Sequence, residues 1–137
     1  MSAEKVKKEA ARWLAQAKED FVVAELLGRE SKFAQSCFYS QQSAEKALKG
    51  LWYYHDCEPW GHSVCRLIEE FEKEPLHTTL MQLHEETQLL DRFYIPTRYP
   101  NGLPELIPQD AYNKTDAKAG LSASKKIIDF VVTEIEK

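Results

Sequence analysis

An uncharged amide stands in this chain where an apolar side chain belongs. Ala34, Cys37, Gln41, Ala44, Leu48, Leu51 and His55 follow one another by alternating three- and four-residue steps, the spacing that aligns side chains along one side of an α-helix. Gln41 therefore points inward, where an amide left unpaired costs about 1–3 kcal/mol. Its partner is expected to be another helix's backbone, a polar side chain, a subunit across an interface or a ligand. A polar residue on an apolar seam can fix register or partner choice at some cost in stability. On that reasoning Gln41→Leu should leave the bundle folded, even more stable, while weakening dimer specificity or ligand binding.

The same stepping runs through the rest of the chain. Residues from about Lys5 to Leu27 carry Ala10, Leu14, Ala17, Phe21 and Ala24 on one stripe, with Gly28 as the expected stop. The second helix is expected from Phe33 to Tyr54, capped by Ser31, with Gly50 as a weak point near its end. After Glu58-Pro59-Trp60-Gly61, His62 or Ser63 opens a third helix reaching about Phe71. Pro75 precedes a fourth, which carries Leu76, Leu80, Leu83, Thr87 and Leu90, with Thr79 and Gln82 resembling a capping box. From Asp91 to Gln109 the chain holds Pro96, Pro100, Pro104 and Pro108, a far longer connection than the roughly 2–8 residues common between bundle helices. A last helix is expected from about Asp110 to Glu136. No alternating strand pattern occurs. These signals predict an all-α, up-and-down bundle of about five helices, with a long Pro-rich loop before the last one. Residues 1–137 are expected to form a single domain, large enough for one core without disulfides or metal.

Net charge is −4, which lacks the basic balance of proteins that bind long nucleic acids by neutralising phosphates. Cys37, Cys57 and Cys65 are odd in number and without CxxC spacing, and the first residues lack the apolar core of a secretory signal. Reduced thiols and a cytoplasmic location are the expectation. No apolar run approaches the roughly eighteen residues of a membrane span.

Four segments, in order, resemble the HEPN family, small helical bundles related to the C-terminal half of kanamycin nucleotidyltransferase. They are Ala17-Lys18-Glu19-Asp20-Phe21-Val22-Val23-Ala24-Glu25-Leu26-Leu27, Cys37-Phe38-Tyr39-Ser40-Gln41-Gln42-Ser43-Ala44-Glu45-Lys46-Ala47-Leu48-Lys49, Gly61-His62-Ser63-Val64-Cys65-Arg66-Leu67 and Tyr94-Ile95-Pro96-Thr97-Arg98-Tyr99-Pro100. The resemblance covers almost the whole chain. It implies a homodimer, a nucleotide-binding role and frequent pairing with a minimal nucleotidyltransferase in a toxin–antitoxin-like arrangement. Many members that cut RNA carry Arg followed, after four to six residues, by His. Neither Arg92 nor Arg98 is followed in this way.

The leading expectation is therefore a noncatalytic module that binds a nucleotide or a nucleotidyltransferase partner, with no cofactor and no metal. Gln41, Gln42, Glu45, Lys46 and Lys49 form one candidate set. There Glu45 and Lys49 suit an i,i+4 ion pair, an amide can read a base edge, and an ammonium can meet phosphate. Asp91, Arg98 and Tyr99, together with Arg92 and Tyr94, form a second. Arg can grip phosphate with a bidentate fork, Tyr can stack a base, and a purely structural reading pairs Arg98 with Asp91. His62 is expected to form hydrogen bonds at the start of the third helix. His55, Cys57, His62 and Cys65 are zinc-ligand types in an unsuitable spacing. Two alternatives stand beside the leading one: a ribonuclease toxin with a degenerate site, in which His62 or Tyr99 moves protons near Arg98, and a structural dimerisation adaptor.

Overall fold

The computed structural model describes residues 2–136, and among them only helices and turns occur. Two long antiparallel helices, α1 (Ala3–Arg29) and α2 (Phe33–Tyr54), form the hairpin on which everything else is laid. The short helices α3 (Val64–Glu69), α4 (Leu76–Leu80) and α5 (His84–Asp91) cross one side, α6 (Pro108–Ala111) is a single turn, and α7 (Lys114–Ile135) packs along α2, α1 and α5. The all-α bundle read from the sequence is present, with more helical pieces than expected.

The differences have local causes. Helix α1 runs through Gly28 to Arg29, and the chain turns at Ser31, which takes a left-handed conformation with φ 59°. The Lys32 amide then donates to the Leu27 carbonyl and the Ser31 amide to the Gly28 carbonyl, so orphan carbonyls at the end of α1 are satisfied. Ser31 thus closes α1 and does not cap α2, which starts after Lys32 without any side-chain cap. Helix α3 ends at Glu69, two residues short of Phe71. The expected fourth helix is broken by a 3₁₀ turn over Met81–Leu83, and Thr79 lies inside α4 with its hydroxyl donating to the Pro75 carbonyl, so the expected Thr79–Gln82 capping box does not form. Asn113 opens α7 through a reciprocal box with Asp116, three residues after the expected start at Asp110.

The core is formed by one stripe from each long helix. Leu14 and Ala17 of α1, Ala44, Leu48 and Leu51 of α2, and Ile127, Ile128 and Val131 of α7 meet Leu67, Ile68, Leu80 and Leu90 from the short helices and Phe71 from the link after α3. The indole of Trp52 is buried with them and its Nε1 donates to the Leu67 carbonyl at 2.8 Å, so Trp52 is a core anchor. Small residues set the spacing. Ser43 and Ser124 share a short hydroxyl contact between α2 and α7, and Gly50 lies against the α1 backbone, where an added Cβ would stand 3.2 Å from the Ala10 carbonyl oxygen and 3.3 Å from Trp13 Cβ.

Gly50 is therefore a close-approach residue and not a flaw in α2. Alanine would gain about 1 kcal/mol of helix propensity but would push two main chains apart, a strain of about 1–3 kcal/mol. Gly50→Ala is expected to lower the midpoint of thermal unfolding, and a rise in that midpoint would show that the hairpin spacing is soft.

Candidate functional site

Glu45 is the centre of the site. It sits one turn after Gln41 on the buried seam of α2, with a side chain only 5% exposed, and a carboxylate withdrawn from water needs partners for both oxygens. Gln41 Nε2 donates to Glu45 Oε1 and to the His62 carbonyl, each at 3.1 Å. On the other oxygen, Glu45 Oε2 receives Lys49 Nζ at 3.2 Å and His62 Nδ1 at 3.4 Å. Gln42 Nε2 donates to Gln41 Oε1 at 2.8 Å. The inward amide thus has an intrachain purpose: it clamps Glu45 and ties α2 to the segment that precedes α3.

That segment is fixed from its far side by Asp91. Its carboxylate accepts from the Ser63 hydroxyl at 2.6 Å, the Val64 amide at 2.7 Å and the Cys65 amide at 3.3 Å, satisfying the first turn of α3. Ser63 is the N-cap of α3, its Oγ accepting from the Arg66 amide. His62, one residue earlier, has a 60% exposed side chain whose ring stacks on Tyr94, with centroids 4.9 Å apart and planes 16° from parallel. The expectation that Asp91 would hold Arg98 is not met. The Arg98 guanidinium lies over Phe38, Tyr94 and Tyr99 at 4.4, 4.7 and 5.1 Å from their centroids, and its Nε donates to the Tyr94 carbonyl at 2.9 Å. Cation–π attraction to Phe38 therefore docks the Pro-rich segment on α2, while the Nε hydrogen bond braces Arg98 against its own segment. Thr97 buries its hydroxyl against the Phe93 carbonyl beneath it.

The structure brings Gln41, Gln42, Glu45, Lys49, His62, Arg98 and Tyr99 to one region, with Asp91 supporting it from behind. Lys46 diverges. It pairs with Asp20 of α1, whose other oxygen accepts from Gln16 Nε2 at 2.8 Å, beside a groove lined by Glu9, Arg12, Trp13 and Gln16. Lys49 also lies above Trp13, 5.8 Å from the ring centroid, and is only 12% exposed. Phe38 and Asp20 were not singled out from the sequence. Phe38 lies one turn before Gln41 and Gln42, and Asp20 falls between Ala17 and Ala24 on the buried stripe of α1, a charge where the pattern calls for an apolar residue.

The four residues with zinc-ligand chemistry do not form one ligand set: the Cys57 thiol donates to the His55 carbonyl at 3.5 Å, while His62 meets Glu45 and Cys65 meets Thr87. His55 lies edge-on to Phe71 and Tyr54, and burial lowers its pKa. Cys65 donates to the Thr87 hydroxyl, and burial pushes its thiol up to about 11, while burial pushes Cys37 up to about 12. Such thiols stay protonated at neutral pH and are poor nucleophiles. Among the described residues no group of three or more His, Cys, Asp or Glu side chains could hold a metal ion.

A family model for the HEPN domain matches residues 10–135. Three crystal structures are similar along nearly the whole chain. The protein TT1696 from Thermus thermophilus is 34% identical with a TM-score of 0.83, the match covering 90% of this chain and 95% of that one. ST0689, an archaeal HEPN homologue, is 30% identical with a TM-score of 0.77, covering 93% and 98%. A HEPN domain protein from Thermotoga maritima, tm0613, is 25% identical with a TM-score of 0.68, covering 92% and 98%. No curated protein matches the chain significantly.

The hydrogen bonds of Gln41 reverse the expectation for its replacement. Leucine would strip one oxygen of a buried carboxylate, a carbonyl and a neighbouring amide of their partner, so Gln41→Leu is expected to destabilise the fold by about 2–3 kcal/mol. Chemical denaturation measures it, and a variant as stable as the parent would show that the clamp contributes nothing to folding.

Proposed function

Since this chain belongs to the HEPN family, we propose that it is a noncatalytic nucleotide- and partner-binding module, working as a homodimer with a minimal nucleotidyltransferase in a toxin–antitoxin-like pair. The observation that carries the reading is the array His62–Tyr94–Arg98, an exposed imidazole, a half-buried phenol ring and an exposed guanidinium set over a buried carboxylate. Arg98 spends its Nε on the Tyr94 carbonyl, and its terminal nitrogens make no hydrogen bond with a described residue, so they are free to fork onto a phosphate. Tyr99, half exposed beside it, offers a face on which a base can stack. Gln41 is fully buried and Lys49 nearly so; with Glu45 and Asp91 they act by holding this face in place, while His62, Arg98 and Tyr99 meet the ligand. The noncatalytic assignment rests on sequence: the last histidine is His84, so none follows Arg92 or Arg98.

Titration calorimetry with adenine, guanine and pyrimidine nucleotides tests this reading. Arg98→Ala should weaken binding by more than about tenfold, as the loss of charge-assisted hydrogen bonds requires. Failure of every nucleotide to bind, together with failure of a nucleotidyltransferase encoded beside it, would remove the proposal.

A second reading is supported by one distance. His62 Nδ1 faces Glu45 Oε2 at 3.4 Å, a carboxylate-oriented imidazole on a 60% exposed side chain, the arrangement a general base needs. If the module cuts RNA, tRNA should be cleaved by the purified protein, and both His62→Ala and Arg98→Ala should abolish cleavage. Intact RNA at high protein concentration eliminates that reading.

A further inference from the structure

At the opposite face of the hairpin turn, the end of α1, the first residue of α2 and the first two turns of α7 enclose a cleft of about 390 Å³. A cavity of this size lies within the roughly 300–1,000 Å³ range of small-molecule sites. Arg29, Lys114 and Lys118 line it, against a single carboxylate from Glu25. All three cations are exposed, and none makes an ion pair with a described residue. Three unpaired cations thus converge on one cleft in a protein of net charge −4.

Lys114 stands in the first turn of α7, where the positive end of the helix dipole disfavours a cation, and it shares the cleft with Lys118 and Arg29. An anion seated among these like charges would offset the dipole penalty and their mutual repulsion. Phe33 and Leu121 supply an apolar wall beside the charges. We infer that this cleft binds a small phosphomonoester carrying an aromatic or other apolar group, the phosphate held by Arg29, Lys114 and Lys118 and the apolar group lying against Phe33 and Leu121. The cleft shares no residue with the His62–Arg98 face, so the inference stands independently of the function proposed for that face.

Phenyl phosphate is the probe, followed by calorimetry and by amide chemical shifts. It should bind saturably, shift the amides of residues 28–33 and 114–121, and bind more weakly as salt is raised. Lys114→Gln with Lys118→Gln should weaken the binding reported by the amides of residues 28–33 and 114–121 by at least about tenfold, and Arg29→Gln should weaken it as well. These lysines are exposed, and the unfolding midpoint of each variant verifies that the fold is kept. The proposal is overturned by any of three results: no saturable binding, phenol binding as tightly as phenyl phosphate, or undiminished binding by the double lysine variant.

Discussion

A carboxylate buried in a helix seam is the constraint from which this structure is organised. Removing Glu45 from water would cost several kcal/mol if it stood alone. The cost is offset by Gln41, Lys49 and His62, each reaching one of its oxygens. Two of these partners lie one turn away on α2 itself, but the third belongs to the chain before α3. Satisfying Glu45 therefore forces a tertiary contact. Once His62 is placed, its ring positions Tyr94, Tyr94 shares Arg98 with Phe38, and Arg98 pins the Pro-rich segment. Order passes outward from a buried ion to an exposed surface.

Ion pairing recurs between α1 and α2. Asp20 and Lys46 face each other across the hairpin, with Gln16 on the second oxygen of Asp20, so the two long helices are held by a polar link as well as by their apolar stripe. A pair that would count for little at the surface has directional value when the carboxylate is nearly buried, because a shifted helix register would strand it. The close approach at Gly50 acts in the same sense.

Much of this was legible in the sequence, and the gaps have physical causes. The inward position of Gln41 and the Glu45–Lys49 pair followed from helical spacing alone, since both concern neighbours on one helix. The Asn113 box was also present as Asn-x-x-Asp, but the apolar pattern continuing upstream masked it. What spacing could not give was partnership between elements. Asp91 is as apt a mate for Arg98 as for the amides of α3, and only the packing of α5 against α3 decides for the latter. The aromatic setting of Arg98 likewise depends on Phe38, sixty residues earlier in the chain. The 3₁₀ break at Met81–Leu83 leaves the apolar stepping intact and so leaves no trace in the pattern.

The contact between Ser43 and Ser124 has a meaning for how the molecule comes into being. Its partners are separated by 81 positions, and the second belongs to the final helix. A chain made from its N-terminus can pair α1 with α2 early, since their contacts are local. Its face of serines and alanines then stays open to water until α7 has been made. The hairpin is in this sense a half-built interior, kept tolerable to solvent by small and polar residues until α7 arrives. A seam of leucines at the same positions would have left an adhesive surface exposed for the whole of synthesis.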